Sequence, residues 1–109
     1  MRTIRFNDLV FDHDMLSARR TDGTELRLTR QERALLLHFT QQPGKLLTRG
    51  RLLELMARDA GDTSERNIDF LVNRLRKVLG DDARKPRFIA TQYGEGYVWA
   101  RRSTATFWC

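Results

Sequence analysis

A chain of 109 residues is the size of one domain and leaves little room for a second. With 40% hydrophobic and 31% charged residues it has an ordinary folding composition, which excludes a disordered or collagen-like chain. Against 14 Asp and Glu stand 20 Lys and Arg, and a net charge of +6 points to a polyanionic partner, nucleic acid ahead of membrane, with charge that serves only solubility as an equal reading on composition alone.

Residues 1–28 read as short strands. Ile4, Phe6, Leu9, Phe11, Met15, Leu26 and Leu28 recur in alternating stretches broken by Asn7-Asp8, Asp12-His13-Asp14 and Asp22-Gly23. Asp22-Gly23, between two short extended stretches, is a hairpin signal, and together these segments predict a small antiparallel sheet. At residue 29 the period changes. Thr29-Arg30-Gln31-Glu32 matches a capping box, with Thr29 as N-cap and Glu32 reaching back to its amide. Leu35, Leu36 and Phe39 follow on one helical face, and Pro43-Gly44 stops the helix. Thr48 caps a second, shorter helix to about Met56, burying Leu52, Leu53 and Met56, and the polar stretch 57–63 reads as a loop.

A third helix is predicted from about Ser64 to Leu79, closed by Gly80. Ile68, Leu71, Val72, Leu75 and Leu79 form one apolar stripe. At about 100° per residue, Arg66, Phe70, Asn73, Arg74 and Lys77 gather opposite that stripe, with Asn67, Asp69 and Arg76 on the flanks. Asp81-Asp82 and Lys85-Pro86 make a linker. Phe88–Thr91 and Tyr97–Trp99 then form a hairpin around a turn holding Gly94 and Gly96, with Tyr93 and Tyr97 beside it. Residues 103–109 have no usable pattern, so the expected division is a domain over 1–102 and a tail over 103–109.

The basic surplus is not evenly spread. Residues 1–65 are nearly balanced, whereas residues 66–109 hold 9 basic and 4 acidic side chains. A helix with one face in a core and the other offering Arg, Asn and Lys suits the DNA major groove. There Arg donates two bonds to guanine, Asn pairs with adenine, and Lys neutralises phosphate. The alternative is a solvated charged face. Against it stand Phe70, in the middle of the polar face, and the lack of an acid on that face nearer than flanking Asp69. The terminal hairpin could follow the sugar-phosphate backbone or the minor groove, or serve structure alone.

Other functions find little support. The longest apolar run, Ala34–Leu37, is far below the roughly 20 residues that span a bilayer, and residues 1–6 do not read as a signal peptide. Cys109 is the single cysteine, which excludes an intrachain disulfide and fits a cytoplasmic location. His13 and His38 lie far apart in sequence, so no metal or other cofactor is expected. HExxH, P-loop and GxSxG motifs are absent, and no base can be paired with a nucleophile, so no enzymatic activity is expected.

Several strings together resemble the OmpR/PhoB-type winged-helix DNA-binding domain, the effector end of two-component response regulators. They are Leu28-Thr29-Arg30-Gln31-Glu32, Leu46-Leu47-Thr48-Arg49-Gly50-Arg51-Leu52-Leu53, Arg66-Asn67-Ile68-Asp69 through Arg74-Leu75-Arg76-Lys77-Val78-Leu79, and Tyr93-Gly94-Glu95-Gly96-Tyr97. The resemblance covers about residues 4–100. It implies an α+β winged helix-turn-helix: an N-terminal antiparallel four-stranded sheet, a three-helix core and a C-terminal hairpin wing, with the third helix as recognition helix. It also implies groove-reading positions at Asn67, Phe70, Asn73 and Arg74, and backbone-contact positions at Arg66, Leu71, Asn73, Arg76 and Lys77. Tyr93, Gly94 and Tyr97 would form the wing contact. The partners implied are double-stranded DNA, a second copy in tandem on direct repeats, and RNA polymerase through loop 57–63. Two departures stand out. The family often has an Arg in the wing where this chain has Tyr93 before Gly94, and a Trp-Gly pair where it has Ala57-Arg58. No receiver domain is present, which leads to the expectation of a segment of a longer regulator, with a free-standing DNA-binding protein as the alternative. The rival from another class is a winged-helix module whose basic face binds an acidic protein.

Overall fold

The computed structural model describes residues 2–6, 8–12, 17–59, 65–100 and 105–108. Strands β1 (Arg2–Phe6), β2 (Leu9–Asp12), β3 (Ser17–Arg20) and β4 (Glu25–Leu26) form an antiparallel meander, as the alternation of residues 1–28 predicts. Pairing of Ile4 with Phe11 and of Phe11 with Ala18 sets its register, and Phe6, Leu9, Phe11 and Ala18 are buried. Asn7, His13 and Met15 lie outside the described residues.

Helix α1 (Arg30–Gln41) begins as the capping box requires. The Thr29 hydroxyl accepts from the Glu32 amide, and the Glu32 carboxylate accepts from the Thr29 amide at 2.8 Å. Helix α2 (Arg49–Asp59) starts at Thr48, whose hydroxyl accepts from the Arg51 amide at 3.0 Å. It runs past Met56, so residues 57–59 are helical rather than loop; residues 60–64 lie outside the described residues. Leu52 and Met56 are buried as expected, while Leu53 is only half-buried.

Helix α3 (Glu65–Leu79) buries the predicted stripe completely, from Ile68 to Leu79. It ends in a Schellman motif. Gly80 has φ +71° and donates to the Lys77 carbonyl, and Asp81 donates to that of Arg76. The Asp81 carboxylate then accepts from the amides of Arg87, Phe88 and Ile89, fixing the path into strand β6 (Ile89–Gln92).

Strand β7 (Gly96–Trp99) closes the hairpin with β6, and a further strand, β5 (Leu46–Leu47), adds to its other edge, giving the order β5-β7-β6. Trp99 sits at the centre of the core. Its ring packs edge-on to Phe6 at 5.3 Å and stacks with Phe88 at 5.4 Å and Phe39 at 6.3 Å. The two sheets and three helices thereby share one core.

Two expectations need correction. The N-terminal sheet has five strands, because β8 (Ala105–Trp108) pairs antiparallel with β1, Arg2 opposite Trp108. Residues 105–108 therefore lie at the edge of that sheet and satisfy backbone groups there. Leu71 is buried in the stripe rather than placed at a backbone-contact surface.

Candidate nucleic-acid interface

The pole of α3 opposite its apolar stripe is solvent-facing. Phe70, Asn73, Arg74 and Lys77 there, and Asn67 on the flank, are all exposed, and Phe70 shows 58% of its surface. The backbone of Arg66 lies in the first turn of α3; its side chain is outside what is described.

Arg74 is held rather than free-swinging. Its guanidinium lies 5.7 Å from the Phe70 ring centre, and its Nε is 3.5 Å from Glu32 Oε2. Phe70, Arg74, Lys77 and Val78 on α3, with Arg27, Thr29 and Glu32 at the start of α1, line an open groove of about 470 Å³. Four of those seven residues are charged, three of them basic.

Two of the predicted contacts belong elsewhere. Arg76 is 5% exposed and donates to the Ile89 carbonyl at 2.9 Å, to Thr91 Oγ1 at 2.7 Å and to Asn73 Oδ1 at 3.4 Å. It clamps the wing onto α3 and is not positioned as a phosphate contact. Tyr97 is likewise 5% exposed, so it does not join the wing surface. The guanidinium groups of Arg49 and Arg76 both approach its ring, at 5.7 and 5.6 Å from its centre. Its hydroxyl donates to Asp69 Oδ1, which also accepts from Arg49 Nε at 2.7 Å.

Sequence reasoning missed this network. Its one visible sign was that Asp69 and Arg76 share a flank of α3, about 100° and 80° from Ile68. Arg49 gave no sign at all. Burial disfavours a charged Asp69, yet the Tyr97 hydroxyl and the Arg49 guanidinium outweigh it and hold this carboxyl below its usual value. Burial first, and then the hydrogen bond to Asp69 and the charge of that carboxylate, push the Tyr97 phenol above its own. The acid on the flank of α3 is thus paired with Arg49 and Tyr97, and the exposed side chains of α3 beside it are neutral or basic.

The wing presents different groups at its tip. Tyr93 is 89% exposed, and Gly94 has φ +78° with open space around it. Gly96 is a packing residue: a Cβ there would stand 2.3 Å from the Leu47 carbonyl oxygen of β5. Among the described residues no group of His, Cys, Asp and Glu could hold a metal ion, and no helix is long and apolar enough to cross a membrane.

Comparison with known proteins agrees with this geometry. The family model described as "Transcriptional regulatory protein, C terminal" matches residues 23–99. The chain is 33% identical over 97 residues to the aerobic respiration control protein ArcA of Escherichia coli, covering 89% of this chain and 41% of ArcA. It thus spans about two fifths of that relative's length. The DNA-binding domain of Klebsiella pneumoniae RstA, solved in complex with the RstA box, superposes with a TM-score of 0.78 at 28% identity, covering 90% of this chain and 96% of that one. Response regulator DrrB of Thermotoga maritima, an OmpR/PhoB homologue, gives 0.77 at 32% identity over 90% of this chain and 44% of its own. The three helices, the sheet preceding them and the wing that follows make this chain a member of the transcriptional regulatory C-terminal family, the OmpR/PhoB-type winged-helix DNA-binding domains.

Proposed function

We propose that this domain binds double-stranded DNA sequence-specifically, with α3 in the major groove and the β6–β7 wing along the adjacent backbone and minor groove. The observation that carries this reading is the exposed side of α3, its pole together with the Asn67 flank. It offers Asn67, Phe70, Asn73, Arg74 and Lys77, while its apolar stripe is fully buried and its flanking acid is paired internally. Arg74, Asn67 and Asn73 carry the donors that would read base edges, and Lys77 and Arg66 the charge that would neutralise phosphates. Phe70 supplies apolar contact to base edges, and Tyr93 with Gly94 forms the wing contact. The complex of the RstA domain with its box supports the docking of this shape on DNA.

At the level of the whole protein, the reading is the output domain of a cytoplasmic two-component response regulator that acts on transcription without enzymatic activity of its own. Two copies would bind in tandem on direct repeats, and the 57–63 region would meet RNA polymerase. The experiment that tests DNA binding is a salt titration of the purified chain on a duplex. Each neutralised phosphate contributes about −0.9 to the slope of log K against log salt. A slope of several units is expected. A slope near zero, with retention of acidic proteins instead, would favour the protein-interaction alternative.

A further inference from the structure

We propose that Glu32 is a positioning residue for base reading by Arg74, in addition to its service as a helix cap; the inference rests on the assignment of Arg74 as a base reader. Three observations meet here. Glu32 is 2% exposed, so its carboxylate cannot face DNA directly. One of its oxygens accepts the Thr29 amide at 2.8 Å, which fixes the carboxylate relative to α1. The other lies 3.5 Å from Arg74 Nε, while the Phe70 ring supports the same guanidinium at 5.7 Å.

A guanidinium presents five N–H donors in a planar fork. An anion engaging the Nε side leaves the two terminal nitrogens to point outward as a pair, the arrangement that matches guanine O6 and N7. A four-bond side chain that is already oriented loses less rotamer freedom when it binds, and the saving applies only where a base accepts both bonds. Glu32 therefore adds to discrimination at one base pair. Its negative charge meanwhile works slightly against attraction to any DNA.

Those two effects have opposite signs, and that separates positioning from structural support. The test compares the wild-type chain, Glu32→Gln, Arg74→Ala and the double variant. Each binds the duplex recovered by selection, that duplex with every single-base-pair change, and a random duplex. Glutamine keeps an oxygen for the Thr29 amide and removes the charge. Preferences are read as ratios within one preparation, so the folded fraction cancels.

Arg74→Ala is expected to erase preference at one base pair. Glu32→Gln is expected to lower preference at that same base pair by about three- to tenfold while random duplex binds as tightly or more tightly. In the Arg74→Ala background, Glu32→Gln should change no preference. If Arg74→Ala erases a preference that Glu32→Gln leaves intact, Glu32 is only a cap and the inference fails alone. Loss spread evenly over all base pairs, or persisting without Arg74, overturns it equally. If Arg74→Ala leaves every preference unchanged, the base-reading assignment falls and takes the inference with it.

Discussion

Arg76 and Lys77 are adjacent in the chain and about 100° apart around α3, and that rotation gives them different work. Arg76 turns into the wing and donates to Ile89 and Thr91, whereas Lys77 stays on the exposed pole. Arg76→Ala should cost about 2–4 kcal/mol of stability, because it strands a buried carbonyl and removes the packing on Tyr97. Thermal unfolding measures this; an unchanged midpoint would return Arg76 to the list of phosphate contacts. Lys77→Ala should leave stability within about 0.5 kcal/mol, weaken all DNA sequences alike and reduce the salt slope by about 1. A sequence-dependent loss would make Lys77 a base reader instead. Gly96 is the residue at which the wing tolerates least. At φ +154°, with the β5 backbone 2.3 Å from any Cβ, alanine should cost about 3 kcal/mol or more, read as a lowered denaturant midpoint. Gly94→Ala, with nothing in its way, should cost about 1 kcal/mol.

At the scale of elements, the wing is tied to the helices by Asp69, Arg49, Tyr97 and Arg76, and this link depends on pH. Asp69 is held below its ordinary value chiefly by Tyr97 and Arg49 acting against burial, and Asp8 is held low first by its hydrogen bond from Arg87. A carboxylate with a depressed folded-state pKa contributes stability above its unfolded value of about 3.9 and loses it as pH falls through the folded value. Tyr97 is raised, so its contribution holds below about pH 10 and is lost at higher pH. Stability should therefore stay level between these limits and fall below about pH 4. Asp69→Asn should flatten the acid limb in pH-dependent melts, and an acid limb identical to wild type would remove Asp69 from the account.

The helices were legible because their signals are local. A capping box spans four residues, and the α3 stripe repeats over three turns. The exposed face of α3 followed from the same periodicity. Strand β5 was not legible, since two residues have no period, and β8 was not, since its partner lies a full chain length away. The burial of Arg76 and Tyr97 escaped because it depends on the wing folding over one flank of α3. Glu32 was visible only as a cap, because Arg74 stands 42 positions further on.

For the molecule as a whole, one core joins the N-terminal sheet, the helices and the wing around Trp99, so α3 is presented by a scaffold with few internal joints. Asp8 fastens the sheet to the linker before the wing through Arg87 at 2.6 Å, and it also pairs within the sheet with Arg20 of β3 at 3.3 Å. A rigid scaffold bearing a basic, donor-rich helix face reads sequence with little reorganisation on binding. The measurement that tests this most directly is selection by the purified 109-residue chain from a randomised duplex library near physiological salt. The account predicts enrichment of a short motif, arranged as a direct repeat, that loses definition at one base pair in Arg74→Ala. Retention without any enriched motif, or no retention, would contradict it.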